Sequence, residues 1–322
     1  MFHRGRAGAV AAACAVVVTG CSSPAHTATP SPVIARVNGD TITLAQFNTR
    51  YESALTSIVQ GGASAEDPAQ TTQLRASVLR SLIVDTVIRE EATKLGLEAT
   101  PAEIQAEVAT DASQAGGMSA LETELAGAGG SIAQLDDEIS SDLNEQQLED
   151  HFAQARAAMV EQTLASGANF VATAKEFSDD TGTSASGGDL GVLTAAELTS
   201  YNPAFATAVE SLTVGSYTKT PVHDAGGYDI LMLYSKTAKG WGVRHILVYA
   251  GNPYSVMDRP DWFTEALFNA IDQLCEANEI SVTLTNAGGN PCTSPSPTPS
   301  PAATGAAKTT PAAKPTATAP AG

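Results

Sequence analysis

Between Leu74 and Leu95, the residues Val78, Leu79, Leu82, Ile83 and Val87 recur at three- and four-residue spacing, and Gly96 stands where a C-cap glycine belongs. That period marks one face of a helix of about six turns. A helix with such an apolar stripe owes its stability to packing rather than to propensity, so it must dock on other elements. The chain is thereby committed to a helical layer, and the rest of the sequence decides what lies against it.

Upstream, Val33 to Val37 alternates like a short strand, Asn38-Gly39-Asp40 is a turn signal, and Thr43 to Val59 reads as a helix. Thr100-Pro101-Ala102-Glu103 is a helix start, with proline in the first turn and an acidic side chain near the positive end of the dipole. Met118 to Leu164 is mostly helical, and Phe152, Ala155, Met159, Thr163 and Leu164 line one face of its last part. From about Asn169 the texture changes. A short helix to Phe177 leads into a polar loop, Ser178 to Gly191, then a helix over Phe205 to Leu212 and strands at Tyr217–Val222, Tyr228–Tyr234 and Val243–Tyr249. Pro260 opens another helix, with Phe263, Ala266, Leu267, Ala270, Ile271 and Leu274 on one face, and Ile280 to Leu284 alternates again. Helices followed by closely spaced strands predict an α+β fold with antiparallel pairing.

The ends carry a different message. Arg4 and Arg6 precede an apolar run, Ala7 to Thr19, that is too short to span a bilayer and is laid out as an export signal. Val18-Thr19-Gly20-Cys21 resembles a bacterial lipobox, implying cleavage before Cys21 and a lipid on its sulfur. An ordinary secretory signal with an unrelated cysteine is the other reading. Ser22 to Pro32 is a Ser/Thr/Pro spacer. Thr293 to Gly322 has no aromatic or large aliphatic residue and so cannot bury enough surface to offset chain entropy, which predicts a disordered tail. Cys14 leaves with the signal, so Cys275 and Cys292 remain. In an oxidising compartment that pair reads as a disulfide, with two free thiols or a metal pair as alternatives. The five histidines show no ligand spacing, and neither metal nor cofactor is expected. A net charge of −18 repels phosphate backbones and argues against nucleic-acid partners.

Two stretches resemble a known family. Val33-Ile34-Ala35-Arg36-Val37-Asn38-Gly39-Asp40, with Ile42, Thr43, Phe47 and the long helix into Lys94-Leu95-Gly96-Leu97, is similar to the N-terminal chaperone domain of SurA- and PrsA-type foldases. Phe170 through Tyr234 resembles a parvulin, the peptidyl-prolyl isomerase domain that those foldases carry. The matching residues are Ala174-Lys175-Glu176-Phe177-Ser178-Asp179-Asp180, Gly187-Gly188-Asp189-Leu190-Gly191, Phe205, Val214-Gly215 and Gly227-Tyr228-Asp229-Ile230. The resemblance implies a helical chaperone domain beside an antiparallel sheet with helices, the FKBP-like superfold. The order departs from the family, in which a strand like Arg244-His245-Ile246-Leu247-Val248 opens the domain; here it follows the last one. A hairpin from Tyr234 into Val243 would restore the sheet with permuted connectivity, and a decayed second repeat is the alternative.

Prolyl isomerisation needs no nucleophile and no metal. The barrier of about 18–20 kcal/mol comes from amide resonance, and a catalyst must hold the ring and favour the twisted amide. The resemblance assigns the proline pocket to Leu190, Leu198 and Phe205, places Asp180 where the family has cysteine or aspartate, and makes His245 the first of two paired histidines. Asp229 occupies the second histidine's place, so a His245–Asp229 hydrogen bond would have to preserve the pairing. Three residues are inserted between Leu198 and Phe205 relative to the family. Each of these side chains also fits a plain structural role: core for the apolar three and for His245, a turn cap for Asp180, an exposed strand residue for Asp229.

The expected organisation is a signal peptide at 1–20, a lipid anchor and linker at 21–32, the helical chaperone domain at 33–150 and the parvulin-like domain at 151–250. A helix and strand at 251–292 return to the N-terminal domain and pair with Val33–Val37, and 293–322 is the tail. The function implied is a lipid-anchored, extracytoplasmic peptidyl-prolyl isomerase acting on unfolded or nascent exported polypeptides with X-Pro bonds. A non-catalytic holdase of the same shape is the rival.

Overall fold

The computed structural model describes residues 30–60, 62, 67–224, 226–250, 259–285 and 288–293. The export signal, Cys21, most of the spacer and all of the tail after Thr293 lie outside the described residues.

Two antiparallel sheets organise the helices into an α+β fold. Strand β1 (Val33–Val37) pairs on one side with β2 (Asp40–Thr43) and on the other with β7 (Ile280–Val282), in the order β2-β1-β7. The β1–β2 turn passes through Asn38 at φ 51°, a left-handed conformation that asparagine tolerates. Helices α1 (Leu44–Gln60), α2 (Pro68–Leu95), α3 (Pro101–Ala115), α4 (Met118–Gly127) and α5 (Ile132–Ala165) follow. The predicted helix at Leu74–Leu95 begins earlier: Asp67 accepts from the Ala69 and Gln70 N–H groups, and Pro68 needs no donor in the first turn. Gly96 closes α2 at φ 71° as the C-cap. Thr100 and Glu103 form a reciprocal capping box for α3. The segment read as mostly helical from Met118 is two helices, interrupted by Gly129 at φ 80° and restarted by Ser131, whose hydroxyl accepts from the Gln134 N–H.

The second sheet has the order β3-β6-β5-β4, built from β3 (Asp189–Leu193), β4 (Val222–Asp224), β5 (Gly227–Thr237) and β6 (Gly240–Tyr249). Helix α6 (Phe170–Phe177) precedes β3, while α7 (Ala195–Leu198) and α8 (Pro203–Ser211) connect β3 to β4. Two expectations are corrected here. The polar loop ends early, because Asp189–Gly191 already belong to β3; aspartate and glycine, both poor strand formers, hid it. The strand read at Tyr217–Val222 shrinks to an isolated bridge from Tyr217 to Met232, and β4 starts only after Pro221, which has no N–H to give a ladder.

Side chains alternate across β5 and β6. Ile230 and Ile246 pack against Val160 and Leu164 of α5 and Phe170 and Ala174 of α6. Leu231, Leu233 and Val243 face the other way, onto Leu198, Phe205 and Val209. Helix α5 is continuous across residue 150, where a domain boundary was expected. Its first part buries Leu148 against Ile88 of α2, and its second part covers the sheet, so one rod belongs to both halves. Helix α9 (Asp261–Glu276) also bridges: Phe263 and Leu267 join the Ile88–Leu148 cluster, whereas Ile271 enters the core around Phe47, Leu79, Ile83 and β1. The sulfurs of Cys275 and Cys292 stand 1.98 Å apart, drawing residues 288–293 back toward α9. Gly289 lies so close to α2 that a Cβ there would meet the Ala76 carbonyl oxygen at 2.2 Å.

Candidate functional site

His245 lies on β6, in the interior of its sheet, and is buried. Its Nδ1 is 2.8 Å from Asp229 Oδ1 on β5, and its Nε2 is 2.8 Å from Asp180 Oδ2 in the loop after α6. The antiparallel register places His245 opposite Leu231 and Asp229 opposite Leu247, so the pair meets diagonally on the face that carries Leu231, Leu233 and Val243. The hairpin from β5 to β6 therefore brings the late histidine strand beside the aspartate strand, as the permuted connectivity expects.

Asp180 reaches His245 because its loop takes over the edge of β6 where β3 ends. Asp179 N–H donates to the Leu247 carbonyl at 2.8 Å, Leu247 N–H donates to Ser178 Oγ at 3.1 Å, and Tyr249 N–H donates to Asp179 Oδ2 at 2.9 Å. Trp262 of α9 adds an indole N–H to the same Asp179 oxygen, at 2.9 Å. Arg244 fixes the far side of the loop through the Ser186 and Gly187 carbonyls and Asp189. His245 N–H donates to the Gly188 carbonyl at 2.8 Å. Gly188 sits at φ 73°, and a Cβ there would lie 1.9 Å from the His245 carbonyl oxygen, so the close approach of loop and strand requires glycine.

The electrostatics follow from this geometry. A neutral imidazole donates from one nitrogen only, whereas both nitrogens here face carboxylates, so the imidazolium is the species that satisfies the site. Burial opposes that charge, but the hydrogen bonds and charges of Asp180 and Asp229 outweigh it and raise the His245 pKa to about 9. The bond from His245 holds the Asp180 carboxyl well below the usual range against the effect of burial, helped by the Thr183 hydroxyl and the Gly182 N–H. Asp229 is pushed upward by burial, with His245 resisting. Asp180 has the most exposed side chain of the three, at 26 %. Thr183 Oγ1 donates to Asp180 and lies 3.0 Å from His245 Nε2.

The three residues assigned to a proline pocket cluster beside this network, but not as an open hollow. Leu198 and Phe205 are each 1 % exposed and belong to the core with Leu193, Val209 and Leu231, while Leu190 is partly exposed at its margin. Tyr201, from the segment between α7 and α8, stacks on Phe205 with ring centroids 4.4 Å apart. Residue-by-residue reading of the sequence missed Tyr201, Thr183 and Trp262, and gave Asp179 no role beyond the motif it belongs to. The insertion before Phe205 was the only signal for the first, and nothing local marks Trp262. Among the described residues, no group of three His, Cys, Asp or Glu side chains is disposed to hold a metal ion. A separate cleft of about 420 Å³ opens between α1, α2 and α5, lined by Arg50, Asp85, Arg89, Glu138 and Asn144 among others.

The site is thus an acid–histidine–acid network on one face of an antiparallel sheet that is backed by helices. Residues 7–149 match the family model described as a SurA-like N-terminal domain, and residues 138–235 match that of a PPIC-type PPIASE domain. The two matches overlap at residues 138–149, and each covers less than half of the chain. The second match stops before β6, so the strand carrying His245 lies beyond it.

Among curated proteins, the chain is similar to the foldase protein PrsA of Latilactobacillus sakei (42 % identity over 72 residues, 22 % of this chain and 23 % of the relative). It also resembles the chaperone SurA of Chromohalobacter salexigens, with 38 % identity over 84 residues, 26 % of this chain and 18 % of the relative. The chain thus spans less than a quarter of the length of these relatives. Two solved structures are also similar. The peptidylprolyl isomerase PrsA of Bacillus anthracis matches with 19 % identity and a TM-score of 0.26, over 62 % of this chain and 97 % of that one. The foldase protein PrsA of Streptococcus pneumoniae matches with 16 % identity and a TM-score of 0.27, over 77 % and 94 %.

Proposed function

We propose that this chain is an extracytoplasmic foldase that catalyses cis–trans isomerisation of X-Pro bonds in unfolded exported polypeptides. The observation that carries the reading is the Asp180–His245–Asp229 network, assembled from a loop and two strands beside the Phe205 cluster. Asp180 and Thr183 supply a carboxylate and a hydroxyl at the mouth of the site, where they favour the twisted amide over the planar one. His245 and Asp229 hold Asp180 in place and ionised. The signal sequence and Cys21 support export and lipid anchoring, and the Cys275–Cys292 pair supports a disulfide formed outside the cytoplasm. On this reading, residues 33–150 grip clients, 151–250 isomerise them, and 251–292 return to the N-terminal domain.

Exchange between cis and trans forms of an X-Pro tetrapeptide, followed by NMR, tests the activity. The full chain should accelerate exchange, and Asp180→Ala and His245→Ala should lower the rate by about 10- to 100-fold, the worth of a hydrogen bond to a charged group. A second reading, a holdase without catalysis, is favoured by the replacement of the second histidine by Asp229. Suppression of client aggregation that persists in Asp180→Ala, with no exchange in the parent chain, would select it.

A further inference from the structure

Phe205 is large and apolar, is 1 % exposed, and carries the Tyr201 ring stacked on it. The two rings lie nearly parallel, 14° apart, with centroids separated by 4.4 Å. Tyr201 is itself only partly buried. Its backbone is held from both sides: Tyr201 N–H donates to the Leu198 carbonyl at 3.2 Å, and the next residue, Asn202, caps α8 through the Ala204 N–H at 2.8 Å. The base of the ring is therefore held, and the rotation that would move the ring is about its side-chain bonds. It stands over the apolar cluster on the sheet face shared with His245 and Asp229. Burial raises the phenol's pKa, and Asp229, Glu197 and Asp180 raise it further, as expected for a ring lying between the cluster and the acidic groups.

We infer that Tyr201 is the specificity-determining residue of the prolyl site. Its ring occupies the face of Phe205 that a pyrrolidine ring must take, and it swings away when an X-Pro segment enters. The inference rests on the isomerase reading. Its energetic consequence is that each binding event must break an aromatic stack, so Tyr201 weakens binding of every prolyl ligand and most strongly penalises those with few other contacts. Short peptides are then poor ligands, whereas long unfolded segments have further contacts to offset the displaced ring.

The test measures the Kd of an X-Pro tetrapeptide by calorimetry, and KM by NMR exchange, on the full chain and on variants. Tyr201→Ala should tighten Kd and lower KM by about 2- to 10-fold, the equivalent of an aromatic pair, and Tyr201→Trp should weaken both. Saturating peptide should also shift the Tyr201 ring resonances of the unmodified chain, a readout that does not require any variant to fold. A Tyr201→Ala chain that binds more weakly or equally, or ring resonances that stay fixed at saturation, would overturn the inference. Tighter binding by Tyr201→Ala without turnover in any chain would support the lid and remove the isomerase reading. Turnover with Kd indifferent to Tyr201 would do the reverse.

Discussion

His245 donates from both ring nitrogens only as the imidazolium, which gives the site a pH signature. The folded pKa of about 9 lies above the ordinary 6.5, so the network's contribution is fully present below pH 6.5 and is lost as pH rises through 9. Urea titrations should therefore show stability falling across that window, by at most about 3 kcal/mol, and His245→Ala should flatten the slope. Equal slopes in both chains would mean that His245 is neutral in the fold. Truncating one partner alone is more severe than losing the group at high pH, because it strands a buried charge. Asp229→Ala should cost about 3–5 kcal/mol, read as a drop in the urea midpoint. Gly188 supplies a sharper steric case. In Gly188→Ala the new methyl collides with the His245 carbonyl in a left-handed conformation, so β3 must detach from β6 and exchange activity should disappear. Amide exchange at Val243 and His245 would show whether the strand has separated.

Elements, rather than single residues, carry the link between the two halves. Helix α5 packs on α2 at one end and on the second sheet at the other, and α9 runs from Trp262, beside Tyr228 and Val248 of that sheet, to Ile271 in the N-terminal core. Trp262, at the start of α9, is bonded to Asp179, the neighbour of Asp180, so the helical layer touches the loop that presents the acid. Trp262→Phe removes that donor and leaves Asp179 with the Tyr249 N–H. A loss of about 1–2 kcal/mol is expected, with faster hydrogen exchange confined to residues 178–182 and the end of β6. Helix α9 is tied at its other end by the Cys275–Cys292 pair, which closes a loop of sequence separation 17. If that pair is bonded, reduction should lower stability by about 3 kcal/mol on the chain-entropy model, and a Cys292→Ser chain should show no further loss on adding reductant.

At the scale of the whole molecule, the first and last described strands lie in one sheet, so the chain closes on itself. Deleting everything after residue 259 strips β7 from β1 and removes Phe263, Leu267 and Ile271, each buried to 5 % exposure or less. At about 1.5–3 kcal/mol per side chain this is comparable to the whole margin of a marginally stable domain, about 5–15 kcal/mol. The truncated chain should be degraded rapidly by limited proteolysis under conditions in which the full chain resists. The same closure shows where sequence reading succeeds. The apolar period of α2, the capping box of Thr100 and Glu103, and the hairpin strands β5 and β6 are local patterns, and each was legible. Strand β3 was not, because Asp189 and Gly191 are poor strand formers and its pairing with β6 accompanies the close approach of loop and strand at Gly188.

The amino-acid order alone determined the helical layer, the late position of the histidine strand and the acidic balance of the chain, since each is written in local pattern or in composition. Only the tertiary structure decided that Asp180, Asp229 and His245 meet, that Trp262 braces the loop between them, and that Tyr201 rather than solvent lies on Phe205. Those outcomes depend on sheet register and on which face a strand turns inward, and both are set by contacts between residues tens of positions apart.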